Sequence, residues 1–192
     1  LPEAEEEYAA FVAEVSSSER VELQVLDAGM QSRVEAMLAA RDTDLKRVRF
    51  HIGDYADIWF RDYGPLFVRA SENQGSRGGQ LAMIKWIFNA WGGKYETLMK
   101  DNAVPYRMLE MLGLPMIEPG LVMEGGSIEV NGQGTLLTTE QCLLNPNRNP
   151  QMSRAEIEQA LAAHLGVRHF IWLKEGIEGD DTDGHIDDIA RF

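Results

Sequence analysis

The stretch from Gly126 to Leu173 constrains the fold more than any other part of the chain. Asn131-Gly132 stands between Gly126–Val130 and Thr135–Thr138, and an Asn-Gly pair between two short apolar runs predicts a tight hairpin. Ser153 and Glu156 make an S-x-x-E capping box that opens a helix over Arg154–Leu165, and Gly166 stops it. Val167–Leu173, VRHFIWL, then reads as a strand. Paired strands followed by a helix and another strand predict a mixed α/β fold.

The same order is legible upstream. Pro2–Val15 reads as an amphipathic helix with Tyr8, Phe11, Val12 and Val15 on its apolar face and glutamates in its first turns, where the helix dipole favours them. Ser16–Ser18 is a short loop. Val21–Leu26 is a strand, Ala28–Arg41 a helix and Val48–Ile52 a strand. Gly64–Arg69 and Leu81–Phe88 are strands joined by the polar loop Ala70–Gly79. Met99–Leu112 is a helix closed by Gly113, with Pro105 weakening its first half, and Leu114–Ile117 is a strand. Asn145–Pro150, NPNRNP, reads as loop. The units recur at intervals of roughly 60 residues without sequence identity between them, so any repeat is architectural. No low-complexity linker divides the chain, and a single domain over residues 1–192 is expected.

Charge narrows the function classes. The chain has 18 Lys+Arg against 31 Asp+Glu, a net charge of −13. Nucleic acid is an unsuitable partner, since phosphate contacts need basic residues. A small cation suits the field better, although solubility alone accounts for such a balance. No apolar run reaches the roughly 18 residues that cross a bilayer, and no signal peptide is visible at Leu1, so no membrane contact and a cytoplasmic location are expected. One cysteine, Cys142, excludes an intrachain disulfide and a cysteine-rich zinc site.

Three stretches hold residues suited to chemistry. In Asp57–Pro65, DIWFRDYGP, acids stand beside Trp59; an aromatic face with a carboxylate suits an organic cation, while a plain Arg61–Asp62 surface pair is the simpler alternative. In Met123–Ile128, MEGGSI, Glu124 precedes two glycines that let backbone approach a ligand, or form a bulge. In Gly179–Phe192, GDDTDGHIDDIARF, His185 and Asp187 are two apart and would share a side of an extended segment, with Asp180, Asp181 and Asp183 adding negative charge; a solvated acidic loop is the alternative. The spacing fails the calcium loop of an EF-hand, because Gly184 at its sixth position puts Gly179 first and Ala190 twelfth. His51, His164 and His169 are scattered, so no metal is expected. Cys142, in TEQCLLNP at a strand end, has no basic neighbour in its segment and reads as packing.

Taken together, DIWFRDYGP, FNAWGGKY at Phe88–Tyr95, MEGGSIEVNGQGTLLTTEQCLLNPNRNP and DDTDGHIDDIARF resemble the agmatine deiminase family, which includes the bacterial-type peptidyl-arginine deiminases. The resemblance implies a pentein fold, a ring of five ββαβ-type units, of which this chain would supply about three. It implies a hydrolase that takes a small cationic guanidino substrate without cofactor or metal, as a homo-oligomer. Asp62 and Asp187 would clamp the guanidinium and His185 would be the general acid/base. Trp59 would line the pocket, Glu124 would be a further site acid, and Asp180 and Asp181 would read the distal amine of agmatine. The family's nucleophilic cysteine follows a glycine-rich stretch that this chain lacks, so it is expected beyond Phe192, with residues 1–192 forming the N-terminal and middle part of a longer catalytic domain, inactive alone. Peptidyl-arginine is the rival substrate. A non-catalytic binder of guanidino or polyamine cations is the rival of another class.

Overall fold

The computed structural model describes residues 2–70 and 79–192. Residues up to Tyr55 make one compact unit and Ala56–Phe192 a second. The greater part of the loop expected over Ala70–Gly79 lies outside the described residues. Among the described residues, no helix is long and apolar enough to cross a membrane.

In the first unit, the helix Pro2–Ser16 precedes strand β1 (Val21–Val25), the helix Ala28–Ala39 and strand β2 (Val48–Ile52), and β1 pairs parallel with β2. Asp27 caps the second helix, its side chain accepting from the Met30 N–H, which satisfies one of the free donors of the first turn. Ala9, Val12, Leu38 and Val48 form the core. The apolar face of the first helix differs from the periodicity reading. Ala9, Val12 and Ser16 are buried, whereas Tyr8 and Phe11 are 56% and 62% exposed. Small side chains let this helix pack closely, and the aromatic rings point away from its core.

The second unit contains the repeat in full, twice. Strands β3 (Leu66–Arg69) and β4 (Leu81–Ile84) pair antiparallel, the helix Val104–Leu112 crosses over, and β5 (Met116–Ile117) joins β4 in parallel. Strands β6 (Ile128–Val130) and β7 (Thr135–Thr139) repeat the hairpin, the helix Arg154–Leu165 crosses over, and β8 (His169–Leu173) joins β7 in parallel. The second strand of each hairpin is therefore central. The capping box at Ser153 and Glu156 forms as its residues predict, and Gly113 and Gly166 end their helices with left-handed φ of 62° and 69°.

Three elements depart from expectation. The strand expected over Leu81–Phe88 ends at Ile84, with Ile87 making one parallel bridge to Val122. The helix expected from Met99 begins as a 3-10 turn over Glu96–Ala103, and Pro105 lies in the first turn of the α-helix that follows, where its missing N–H costs nothing. Gly126 belongs to a 3-10 turn over Gly125–Ser127 that feeds β6. The core of this unit joins both repeats, with Ile84, Met123, Ile128, Leu136, Ile157 and Leu161 in one cluster. That cluster locks the ends of β4, β6 and β7 together, and the polar residues gathered beside it occupy fixed positions.

Candidate active site

Asp62 arrives on a short helix, Phe60–Tyr63. Upstream, Asp101 accepts from the Ala56 and Asp57 N–H groups, and the Tyr63 hydroxyl donates to the Asp57 carbonyl, so the chain entering this helix is pinned from both sides. Arg61 and Asp62 do not form the surface pair that the sequence allowed. Arg61 donates to the Ile128 carbonyl and lies near Glu129 and Asp187, while Asp62 turns inward and is only 8% exposed. Trp91 Nε1–H donates to one Asp62 oxygen at 3.0 Å, and the Gly126 N–H donates to the other at 3.1 Å. Trp91 reaches it from a strained turn in which Ala90, Trp91, Gly92 and Gly93 all have positive φ. Two of these are not glycine, and such geometry costs on the order of 1–3 kcal/mol per residue.

His185 arrives on the loop after β8. Asp180 organises that loop, its carboxylate accepting from the Thr182 hydroxyl and from the N–H groups of Thr182, Gly184 and His185. Burial alone would raise the Asp180 pKa, but these bonds outweigh it and hold the group below the ordinary value. The Thr139 hydroxyl donates to the Gly184 carbonyl at 2.7 Å, fastening the loop to the end of β7. His185 then precedes a 3-10 turn, Ile186–Asp188, instead of continuing an extended segment, and it is this turn that brings Asp187 back toward the ring.

The imidazole, 2% exposed, has two unlike sides. Nδ1 faces Asp62 at 3.6 Å and Asp187 at 3.8 Å. Nε2 lies 3.9 Å from Glu124, and a Glu124 oxygen, the Cys142 sulfur and a His185 nitrogen all fall within 4.8 Å of one another. Burial by itself disfavours imidazolium; contact with Cys142 and Glu124 and the charge of Asp62 outweigh it and raise the pKa from 6.5 to about 10. Nε2 has no hydrogen-bond partner of good geometry, so the effect rests on charge proximity more than on a formed bond. Burial first, then the charge of Glu124, push Asp62 upward, against the pull of His185 and its two hydrogen bonds.

The sign of the linkage follows from the raised histidine. The stability lent by its charge is fully present below the unfolded pKa of about 6.5 and is lost as pH rises through about 10. The unfolding midpoint of the complete protein is expected to fall between pH 7 and pH 10, and His185→Gln to flatten that fall; thermal melts across this range check it.

The centre of the site is a missing side chain. A Cβ built on Gly126 would lie 2.6 Å from both Asp62 Oδ1 and His185 Nδ1 and 3.0 Å from Asp187 Oδ2. Glycine thus lets two carboxylates and an imidazole converge more closely than any residue with a Cβ would allow. Such a site can hold a planar cation by its edges and deliver or accept a proton beside it.

Of the residues singled out in the sequence, Asp62, Glu124, His185 and Asp187 come together. Trp59 is half-exposed, one turn ahead of Asp62, and Asp181 is exposed with its carboxylate accepting from the Tyr95 hydroxyl. Asp180 is committed to its own loop. Cys142 lies on the short helix Glu140–Leu143, not at a strand end, and is fully buried. Burial raises its pKa although His185 and Arg148, from distant segments, oppose the rise. Glu124, Cys142 and His185 have ligand types that suit a metal, but the Arg148 guanidinium stands 2.7 Å from Glu124 and puts a fixed cation where a metal would need none. Sequence reasoning missed Trp91 and Arg148; the Gly92-Gly93 pair after Trp91 was the only local sign of a special turn.

Comparison with known proteins agrees over the whole chain. The sequence profile of the family described as Porphyromonas-type peptidyl-arginine deiminase matches residues 1–192. Agmatine deiminase of Stutzerimonas stutzeri is 42% identical over 189 residues, covering 96% of this chain and 49% of that protein. Agmatine deiminase of Medicago truncatula is 46% identical over 143 residues, covering 71% and 38%. Among solved structures, a cysteine-to-serine variant of C. jejuni agmatine deiminase with substrate bound superposes with a TM-score of 0.85 at 34% identity, covering 100% of this chain and 54% of that one. The chain therefore spans about half the length of the relatives it matches, and its mixed α/β fold is that of the pentein-type deiminases.

Proposed function

The chain belongs to the Porphyromonas-type peptidyl-arginine deiminase family, and on that premise we propose that the protein is an agmatine deiminase, converting agmatine and water to N-carbamoylputrescine and ammonia on a route to putrescine. The observation that supports the reading is the convergence of Asp62, His185 and Asp187 over Gly126. A guanidinium is planar and permanently charged, and its carbon is a poor electrophile. Asp62 and Asp187 hold its edges, leave the carbon face open and offset the charge.

In the empty site His185 is protonated. A guanidinium between Asp62 and Asp187 offsets the field that raised its pKa, so the proton becomes easier to give up. A thiolate adds to the guanidinium carbon; as the C–N bond breaks, Nδ1 hands its proton to the departing nitrogen and ammonia leaves. The neutral imidazole then takes a proton from water as its oxygen attacks the amidino-thioether carbon; the thiolate leaves with its electron pair, and the new hydroxyl gives its proton to solvent, yielding the ureido product. Glu124 stabilises the imidazolium from behind. The attacking thiolate is assigned to a cysteine outside residues 1–192, because the buried Cys142 thiol is held protonated on the far side of His185. Cys142→Ser is accordingly expected to keep turnover within about tenfold of the wild type, whereas loss of the true nucleophile removes it.

Asp181 supports agmatine over peptidyl-arginine, as an accessible carboxylate on the loop leading to His185 that can meet the distal ammonium. The test is to incubate the complete protein with agmatine and with an arginine peptide and to measure ureido product and ammonia. Product from agmatine alone is expected. Citrulline in the peptide without agmatine turnover would transfer the reading to peptidyl-arginine. Tight binding of agmatine without product from either substrate would leave a cation-binding protein.

A further inference from the structure

We infer that Arg148 is a positioning residue of this reaction: one buried guanidinium that fixes Glu124 behind His185, fastens the loop carrying His185, and leaves the site with charge for a single substrate cation. The inference rests on the deiminase reading for its kinetic consequences, but its geometry stands alone. The Arg148 side chain is fully buried. Its Nε lies 2.7 Å from Glu124, an ion pair held by charge and closeness without hydrogen-bond geometry. One terminal nitrogen lies 2.9 Å from Asp183 and 2.7 Å from the Asn147 side-chain oxygen, and the other donates to the Thr182 carbonyl at 3.1 Å.

These contacts join segments that share no strand. Glu124 precedes the glycine turn, and Thr182 and Asp183 immediately precede Gly184 and His185. Asn147 and Lys94 also bond Asp183, and a Cβ on Gly92 would fall 2.2 Å from Asn147 Nδ2 and 2.7 Å from an Arg148 nitrogen. The left-handed turn that aims Trp91 at Asp62 is thus packed on the same guanidinium. Lysine could not reproduce this, because a single ammonium lacks the planar fork that reaches two carboxylates and a carbonyl at once.

Electrostatics gives the fork a second effect. His185 is faced by Asp62 and Asp187 on one side and by Glu124 and Cys142 on the other. With Asp183 balanced by Lys94 at 2.6 Å and His185 protonated, the carboxylates of Asp62, Asp187 and Glu124 meet two buried cations, His185 and Arg148, which leaves one negative charge for one guanidinium. Arg61 and Arg191 also approach Asp187, at 3.8 Å and 4.0 Å, but both are about half-exposed and screened by water. Without Arg148 the empty site would carry one more negative charge, and His185 would hold its proton more tightly.

The complete protein carries the test, as Arg148→Met, which removes the cation, and Arg148→Lys, which keeps it without the fork. His185 is titrated by NMR of ring-labelled histidine, with His185→Gln to assign the signal, and kcat and KM are measured with agmatine. In Arg148→Met the His185 titration is expected to move upward and kcat to fall about 10- to 100-fold with KM changed less than about threefold, since Arg148 does not touch substrate. Arg148→Lys is expected to restore most of the titration and only part of kcat. Both variants folded, with His185 titrating as in the wild type and kcat within about threefold of it, would overturn the inference and leave Arg148 a packing ion pair. Should Arg148→Met not fold, Arg148→Lys decides, a lower kcat at unchanged KM supporting the role and an unchanged kcat overturning it. A wild type that does not turn over agmatine sinks the functional reading instead, and the NMR comparison still judges Arg148.

Discussion

Asp62→Asn is expected to lower kcat/KM for agmatine by roughly 30- to 5,000-fold in the complete protein, with the fold retained. The substitution removes the charge of a carboxylate only 8% exposed, and losing one partner of a desolvated charge pair costs about 2–5 kcal/mol. Two further effects act in the same direction. Trp91 Nε1–H and the Gly126 N–H donate to different oxygens of Asp62, and an amide keeps only one acceptor oxygen, so one donor is left facing an NH2 group. His185 also loses one of the charges that raises its pKa, so less of it is protonated before substrate arrives. The measurement is kcat/KM with a thermal melt as the control for folding. Activity within threefold of the wild type at an unchanged melting temperature would refute the clamp.

Gly126→Ala is expected to weaken agmatine binding by a different route, one methyl group forced between the side chains that would hold the guanidinium. Its Cβ would stand 2.6 Å from Asp62 Oδ1 and His185 Nδ1, closer than real Cβ contacts come, so the groups around it must part. Gly126 does not have a left-handed φ, so alanine is compatible with the backbone. The expected result is a folded protein with agmatine affinity down about 100-fold or more, since displacements of about 1 Å at such a site cost on that order in rate. Calorimetry with agmatine reads it directly. Gly125→Ala makes the contrast. Its Cβ would lie 2.1 Å from the Arg61 carbonyl oxygen, which is backbone and cannot swing aside, so that variant should lose stability instead of binding alone. Undiminished agmatine binding by Gly126→Ala would mean that the guanidinium sits elsewhere.

The parts of this protein that were legible in advance are those whose cause is local. A capping box needs only Ser153 and Glu156, and a helix stop only a glycine at a left-handed position; Asn131-Gly132 marked the hairpin, although its loop runs on through Gly134, with Asn131 bonded to Thr135. These signals survive any packing, and they sufficed to order the strands and helices of both complete repeats. Periodicity on the first helix was a weaker guide, because a stripe is buried only where another surface covers it. Tyr8 and Phe11 matched the period, yet Ala9 and Ser16 took the covered side. Pro105 was the better guide: the half of the expected helix that it weakened is a 3-10 turn, and the α-helix starts at Val104 with the proline in its first turn.

The site divides along the same line. The motifs and their order along the chain, through their resemblance to a guanidine-modifying family, singled out Asp62, Glu124, His185 and Asp187, with Trp59, Asp180 and Asp181; residue types alone left each stretch with a plainer alternative. They did not determine that Asp62 would turn from its neighbour Arg61 toward partners 29 and 64 residues away, that Asp180 would hold its own loop, or that Arg148 and Cys142 would stand behind the histidine. Only the tertiary structure decided these, because the state and the use of a charged side chain are set by what surrounds it within a few ångströms. In this protein those surroundings are assembled from segments that the chain keeps far apart.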